Sequence, residues 1–262
     1  MPISALHVAR TGLEAQDARM RVIANNLANI GTTGFKRDRA NFATLAYQEA
    51  RVAGQQSTNE SQYAVGLNLG TGVGLQGTSR IETQGTLDTT GNTFDLALDG
   101  AGYFQVQLPG GQLGYTRAGN FTLSAEGQLV TAQGFAVQPA IAVPPGAQSI
   151  SIAPDGTVSA LVAGDTDPTE IGQLTVARFA NAAGLRQSGD NFLLETAASG
   201  PAELGAAGTE GRGSIRQGML EASNVNVVEE MVAMIEAQRA YEINSKMISA
   251  VDEMLRNANQ TL

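Results

Sequence analysis

The stretch LHVARTGLEAQDARMRVIANNLANI, from Leu6 to Ile30, decides the fold. Leu6, Ala9, Leu13, Gln16, Met20, Ile23, Leu27 and Ile30 recur in it at alternating spacings of three and four, and all but Gln16 are apolar. Between Ile3 and Ile30 there is no proline and only one glycine, Gly12. Such an a/d seam over about four heptads predicts a coiled-coil-type helix. Gly31, followed by Thr32, Thr33 and Gly34, is the expected stop, because glycine takes the left-handed conformation at a helix C-terminus without a Cβ penalty.

The other end of the chain repeats the pattern. From Ser223 or Asn224, the expected caps, to about Asn257 there is neither Gly nor Pro, and Glu229 and Glu230 suit the positive end of a helix dipole. Val227, Met234, Tyr241, Ile248 and Leu255 fall at strict sevens, with Met231 between the first two. Gln238, Ser245 and Asp252 take the intervening positions further on, where buried polar residues lower stability but fix register. Val228, Val232, Ile235, Ile243, Met247, Val251 and Met254 form a second apolar set off that seam, and one partner helix cannot cover both. The terminal helices are therefore expected to order mainly when identical subunits pack around them, after a central β domain has folded.

Between the ends the period changes to two. Tyr103–Leu108 and Leu113–Arg117 flank Pro109-Gly110-Gly111, Phe121–Leu123 and Gln128–Thr131 flank Glu126-Gly127, and Ser149–Ala153 and Thr157–Val162 flank Pro154-Asp155-Gly156. Each reads as a hairpin. Gln48–Ser61 is polar, Gly66–Gly77 is glycine-heavy, and Ser199–Gly213 lies on the return path, so these segments read as extended connector. The predicted fold class is α+β: long terminal helices forming a coiled-coil-like domain (1–34 with 222–262), an extended β connector (35–96 with 197–221, including an insertion at 48–69), and an all-β domain at 97–196.

Composition removes several function classes. A net charge of −9 and a pI near 4.6 take away the attraction on which non-specific nucleic-acid binding depends, so no nucleic-acid partner is expected. The absence of cysteine leaves no disulfide framework and no thiolate metal site. No stretch approaches the roughly 18 to 20 apolar residues that span a bilayer, and Arg10, Glu14, Asp17, Arg19 and Arg21 interrupt any secretory h-region, so no membrane insertion is expected.

Candidate chemical sites are few. Gly72-Val73-Gly74-Leu75-Gln76-Gly77 matches the dinucleotide fingerprint, but Thr78–Thr83 alternates like a strand where a phosphate-binding helix is required, which favours a β connector. His7, the single histidine, has no visible ligand set or catalytic partners and reads as a surface or interface residue. Asp95 with Asp99, as an acid/base pair, and Asp165 with Asp167, as calcium ligands, are better explained as turn formers. Lys36, Arg37 and Arg39, the one basic concentration, read as a solvated turn. No catalytic residue, metal or cofactor is expected.

Ala24-Asn25-Asn26-Leu27-Ala28-Asn29-Ile30 with Thr32-Thr33-Gly34-Phe35-Lys36-Arg37 resembles the N-terminal signature of bacterial flagellar rod and hook proteins. Ser223-Asn224-Val225-Asn226-Val227-Val228-Glu229-Glu230-Met231-Val232 and Gln238-Arg239-Ala240-Tyr241-Glu242-Ile243-Asn244-Ser245-Lys246 resemble the matching C-terminal signature. The length, Gln48–Val73, and Tyr103-Phe104-Gln105-Val106 with Leu108-Pro109 and Tyr115-Thr116-Arg117 look most like rod-type members, whose insertion Gln48 to about Leu69 would occupy. Gly31 departs from the family, which more often has Asn or Ser there.

The resemblance implies a mechanical subunit of a hollow helical filament, exported unfolded through the flagellar type III channel with an uncleaved terminus. Its implied partners are copies of itself, proximal rod proteins, the hook protein, and the outer-membrane and peptidoglycan ring proteins around the rod in the periplasm. Self-assembly is expected through Leu6, Leu13, Met20, Ile23, Leu27, Ile30, Val227, Met231, Met234, Tyr241, Ile248 and Leu255. The signature positions are Asn25, Asn26, Leu27, Asn29, Gly34, Phe35, Asn224, Asn226, Arg239 and Tyr241. Another axial protein of the same family, hook or proximal rod, is the near alternative; a secreted β-rich carbohydrate-binding or carbohydrate-active protein is the distant one, weakened by the absence of Trp.

Overall fold

A computed structural model describes residues 2–58, 61–163 and 167–260. The chain is α+β, with one helix at each end, α1 (Pro2–Ala28) and α2 (Val227–Gln260), and short strands between them. It divides into two compact units. The first gathers the chain through Leu27, Asp38–Ser79, and the chain from Asn226; the second gathers Ala28–Arg37 and Arg80–Val225.

The ends of both helices differ from the sequence expectation, for local reasons. Helix α1 stops at Ala28, so Ile30 lies in a turn rather than on the seam. Asn29 ends it: its carbonyl accepts the Thr32 N–H at 3.1 Å and its Oδ1 accepts the Thr32 hydroxyl at 3.1 Å, a local alternative to helical hydrogen bonding. The left-handed residue is not Gly31 but Gly34, at φ +67°. A Cβ there would lie 2.6 Å from the carbonyl carbon of Arg117, so both backbone conformation and space demand glycine. Helix α2 is capped not by Ser223 or Asn224 but by Asn226, whose Oδ1 accepts the Val228 N–H at 3.0 Å.

In the first unit Asp38–Thr44 pairs with Val73–Arg80, and a two-stranded arm projects between them. The arm pairs Tyr47–Arg51 antiparallel with Leu67–Gly70, and Gln56–Thr58 with Ser61–Gln62. In the second unit the expected hairpins form. Tyr103–Gln107 pairs antiparallel with Leu113–Thr116, Thr122–Leu123 with Leu129–Val130, and Ala147–Ile152 with Thr157–Val162. The first of these lies inside a seven-stranded sheet running 186–187, 193–194, 113–116, 103–107, 175–178, 203–206, with 137–138 also on 103–107. The returning chain pairs with the outgoing one twice, Ser214–Gln217 on Leu96–Asp99 and Met219–Glu221 on Leu87–Thr89.

Two apolar clusters hold this unit. The larger centres on Phe104 and Phe121, edge to face at 5.2 Å, with Leu96, Leu98, Val106, Val176 and Ile215 around them. The smaller sets Tyr103 and Tyr115 against Phe179. Because Phe104 is fully buried, Phe104→Ala should destabilise this unit by about 3–5 kcal/mol, read as a lower denaturation midpoint at unchanged m-value.

Candidate functional site

Helices α1 and α2 run antiparallel, which three contacts fix. Gly12 lies against Asn244, where a Cβ would come 3.1 Å from Nδ2; Arg19 reaches Glu236 at 3.3 Å; Asn26 reaches Glu230 at 3.2 Å. The Asn26 carboxamide also donates to the Asp38 carbonyl and accepts the Asp38 N–H, both at 2.9 Å, and both Asn26 and Glu230 are buried. Hydrogen bonding at this depth fixes axial register, because any slip would leave buried polar groups unmatched.

These contacts rotate both seams from the expected face. On α1 the repeat of Ala9, Gln16 and Ile23 holds, but Gly12, Arg19 and Asn26 meet α2, while Leu6, Leu13, Met20 and Leu27 are half-buried beside them. On α2 the positions between Met234, Ile248 and Leu255 are Glu230, Ala237, Asn244 and Val251, not Gln238, Ser245 and Asp252, which are exposed. Val251 thus moves from the second set to the covered face. Val227, Met231 and Tyr241 are exposed, whereas Met234, Ile248 and Leu255 are half-buried. The physical reason is polar: Arg19 with Glu236 and Asn26 with Glu230 set the facing sides, and Gly12 leaves room for the Asn244 side chain.

The remainder of the second set stays in solvent. Val228 is 69% exposed, Ile243 61% and Met254 62%, with Val232, Ile235 and Met247 also exposed. At about 100° per residue this stripe lies roughly 150° from the covered face. The arm adds exposed apolar groups of its own in Tyr47, Val52, Tyr63, Val65, Leu67 and Leu69. Exposure on this scale marks an interaction surface.

The second unit is tied at its base by a buried ionic knot that the sequence did not announce. The Glu221 carboxylate, fully buried, accepts Lys36 Nζ at 2.6 Å, Arg117 Nε at 2.8 Å and the Gly85 N–H at 3.0 Å. Lys36 also donates to the Thr83 carbonyl, and Arg117 to the carbonyls of Gly100 and Gly102. Lys36 is therefore buried in an ion pair instead of solvated in a turn; Arg37 is half-buried and Arg39 exposed. Asn224 adds a second staple, accepting the Arg37 N–H at 2.7 Å and donating to the carbonyls of Ile81 and Thr83.

Asn25 is exposed and Phe35 half-buried, while Arg239 and Tyr241 lie on the solvent side of α2. His7 Nδ1 meets the Thr71 carbonyl at 3.1 Å, and the Thr11 side chain packs on the backbone at Gly72, which leads into a strand. Asp95 is held by Thr90 at 2.6 Å and Asn92 at 3.0 Å, and Asp99 pairs with Arg216 at 3.2 Å. Asp165 lies outside the described residues. Among the described residues no cluster of His, Asp or Glu could hold a metal ion, and no helix is long and apolar enough to cross a membrane.

Burial by itself would push the Glu221 carboxyl up, but the charges and hydrogen bonds of Arg117 and Lys36 outweigh it and hold it below the ordinary glutamate value. Burial pulls the Lys36 ammonium down, which the bond to Glu221 partly offsets. A depressed carboxyl contributes stability that is complete above its unfolded value and lost as pH falls through its folded one. Glu221→Gln should remove about 3–5 kcal/mol at neutral pH, since two cations lose their buried counter-charge, and should flatten the acid limb of a stability-versus-pH curve measured by denaturant titration.

Comparison with known proteins agrees with this architecture. A family model described as flagella basal body rod protein matches residues 6–36, one described as flagellar hook protein FlgE/F/G D1 domain matches 97–160, and one described as flagellar basal body rod FlgEFG protein C-terminal matches 216–261. The flagellar basal-body rod protein FlgG of Buchnera aphidicola subsp. Acyrthosiphon pisum is 49% identical over 98% of this chain and 99% of its own length. The FlgG of Caulobacter vibrioides is 46% identical over 98% and 99%. The flagellar basal-body rod protein FlgF of Caulobacter vibrioides is 34% identical over 99% and 98%.

Proposed function

The chain belongs to the flagellar basal-body rod protein family as a structural component, and we propose that it is the repeating subunit of the hollow distal rod, joining the proximal rod to the hook. The observation that carries this reading is α2, a helix with two opposed apolar faces of which α1 covers one. Polymerisation buries the other against identical copies, each large side chain contributing about 1.5–3 kcal/mol when covered. The closer likeness to FlgG than to FlgF favours the distal position over the proximal one. In this reading the terminal helices pack as a coiled-coil-like inner tube around an export channel, and the ring proteins face the outer β-rich unit. Export proceeds through the flagellar type III apparatus. The role is mechanical: it transmits torque and performs no chemistry.

The arm at 47–70 braces neighbouring subunits, its exposed Tyr47, Val65 and Leu67 finding cover there and Arg51 stacking 4.1 Å from the Tyr63 ring to stiffen it. Replacing both Ile235 and Ile243 by Asp should abolish polymer formation, measured by sedimentation, while leaving the far-ultraviolet circular dichroism of the dispersed chain unchanged. Normal filaments from that variant would remove the assigned role of the outer face. Deleting residues 48–69 should give bent rods by electron microscopy; straight ones would refute the brace.

A further inference from the structure

The outer face of α2 carries a chemical feature that assembly alone does not require. Of seven methionines, three lie on it: Met231, 53% exposed, Met247, 49%, and Met254, 62%. Met20, Met219 and Met234 are half-buried elsewhere. A flexible thioether adapts to an irregular partner surface, and it is also the apolar side chain most easily made polar.

We propose that Met231, Met247 and Met254 form an oxidation-sensitive modification site that governs self-assembly. This inference rests on the outer face being covered by a second copy of the chain, as proposed above. The co-reactant is a peroxide such as hydrogen peroxide. The thioether sulfur attacks one peroxide oxygen, an S–O bond forms as the O–O bond breaks, and water leaves once the protons redistribute. The sulfur gives up two electrons and the peroxide takes them. The product sulfoxide is a strong hydrogen-bond acceptor set among the exposed apolar side chains of Val228, Val232, Ile235 and Ile243 on a face that also carries Arg239, Lys246 and Asn257. Covering it replaces an apolar contact with a polar group that must be desolvated, so the oxidised subunit is disfavoured in the polymer. Once the face is covered, the same sulfurs are shielded. The site therefore acts on chains waiting to assemble and not on those already built in. Methionine sulfoxide reductases reverse the change.

The test uses the full-length chain, dispersed and assembled, treated with hydrogen peroxide and mapped by peptide mass spectrometry. In the dispersed chain the three residues should oxidise ahead of Met20, Met219 and Met234. In the polymer they should oxidise at least about tenfold more slowly, and each buried sulfoxide should raise the critical concentration about tenfold until reductase treatment restores it. The variant M231L/M247L/M254L should polymerise and be indifferent to peroxide. An unchanged critical concentration after complete oxidation of the three, equal inhibition of the triple variant, or equal oxidation rates in the two states would each overturn the site while leaving the assembly reading standing. Failure of the untreated chain to polymerise would overturn both. The comparison of rates needs no variant and decides the matter even if the triple substitution disturbs folding.

Discussion

A carboxylate without water around it has to be surrounded by charge and donors, and the base of the second unit is organised by meeting that demand at Glu221. Lys36 arrives from the segment after α1, Arg117 from the sheet, and the Gly85 N–H from the outgoing connector, while Glu221 itself sits on the returning strand. Four parts of the chain far apart in sequence are thereby held to one point. The backbone follows the same demand. Gly34 donates its N–H to the Glu221 carbonyl at 2.7 Å and lies flat against Arg117, which only a residue without a side chain can do in a left-handed turn. Such pairs give modest net stability because desolvation offsets attraction, yet removing one partner is severe, so the knot acts chiefly as a specification of geometry.

In the first unit polar groups also decide geometry and apolar groups supply the drive. Asn26, buried against Glu230 and Asp38, sets the register of α1 on α2, and Gly12 leaves room for the Asn244 side chain. What remains is a helix with greasy residues left over. Its covered face and its open stripe cannot be satisfied by one neighbour, because they lie on different sides of the same cylinder.

Strong periodicity made the two helices and the three hairpins legible in sequence: an unbroken three-four alternation and paired short β runs around Gly-rich turns leave little choice. The face of each helix was half legible. Weighing hydrophobicity selected Leu13, Met20 and Leu27, but polar contacts fix the register, so Gly12, Arg19 and Asn26 face Asn244, Glu236 and Glu230. Capping failed locally: three of the four residues from Ser223 to Asn226 can serve as caps, and only the tertiary bonds of Asn224 to Arg37, Ile81 and Thr83 leave the role to Asn226. The Glu221 knot was not legible, because its partners lie 104 and 185 residues away and no spacing rule links them. The signature asparagines were visible only as a likeness to a family; their carboxamide bonds give the physical reason for them.

The second unit begins and ends in one place. Phe35 accepts the Asn224 N–H, Arg37 accepts the Ile81 N–H, and the Asn224 side chain donates to the Thr83 carbonyl, so the segments at 35–37, 81–83 and 224 are bound into one collar. Loops beyond the collar can lengthen, shrink or acquire new ornament without altering the distance between the strands that leave it.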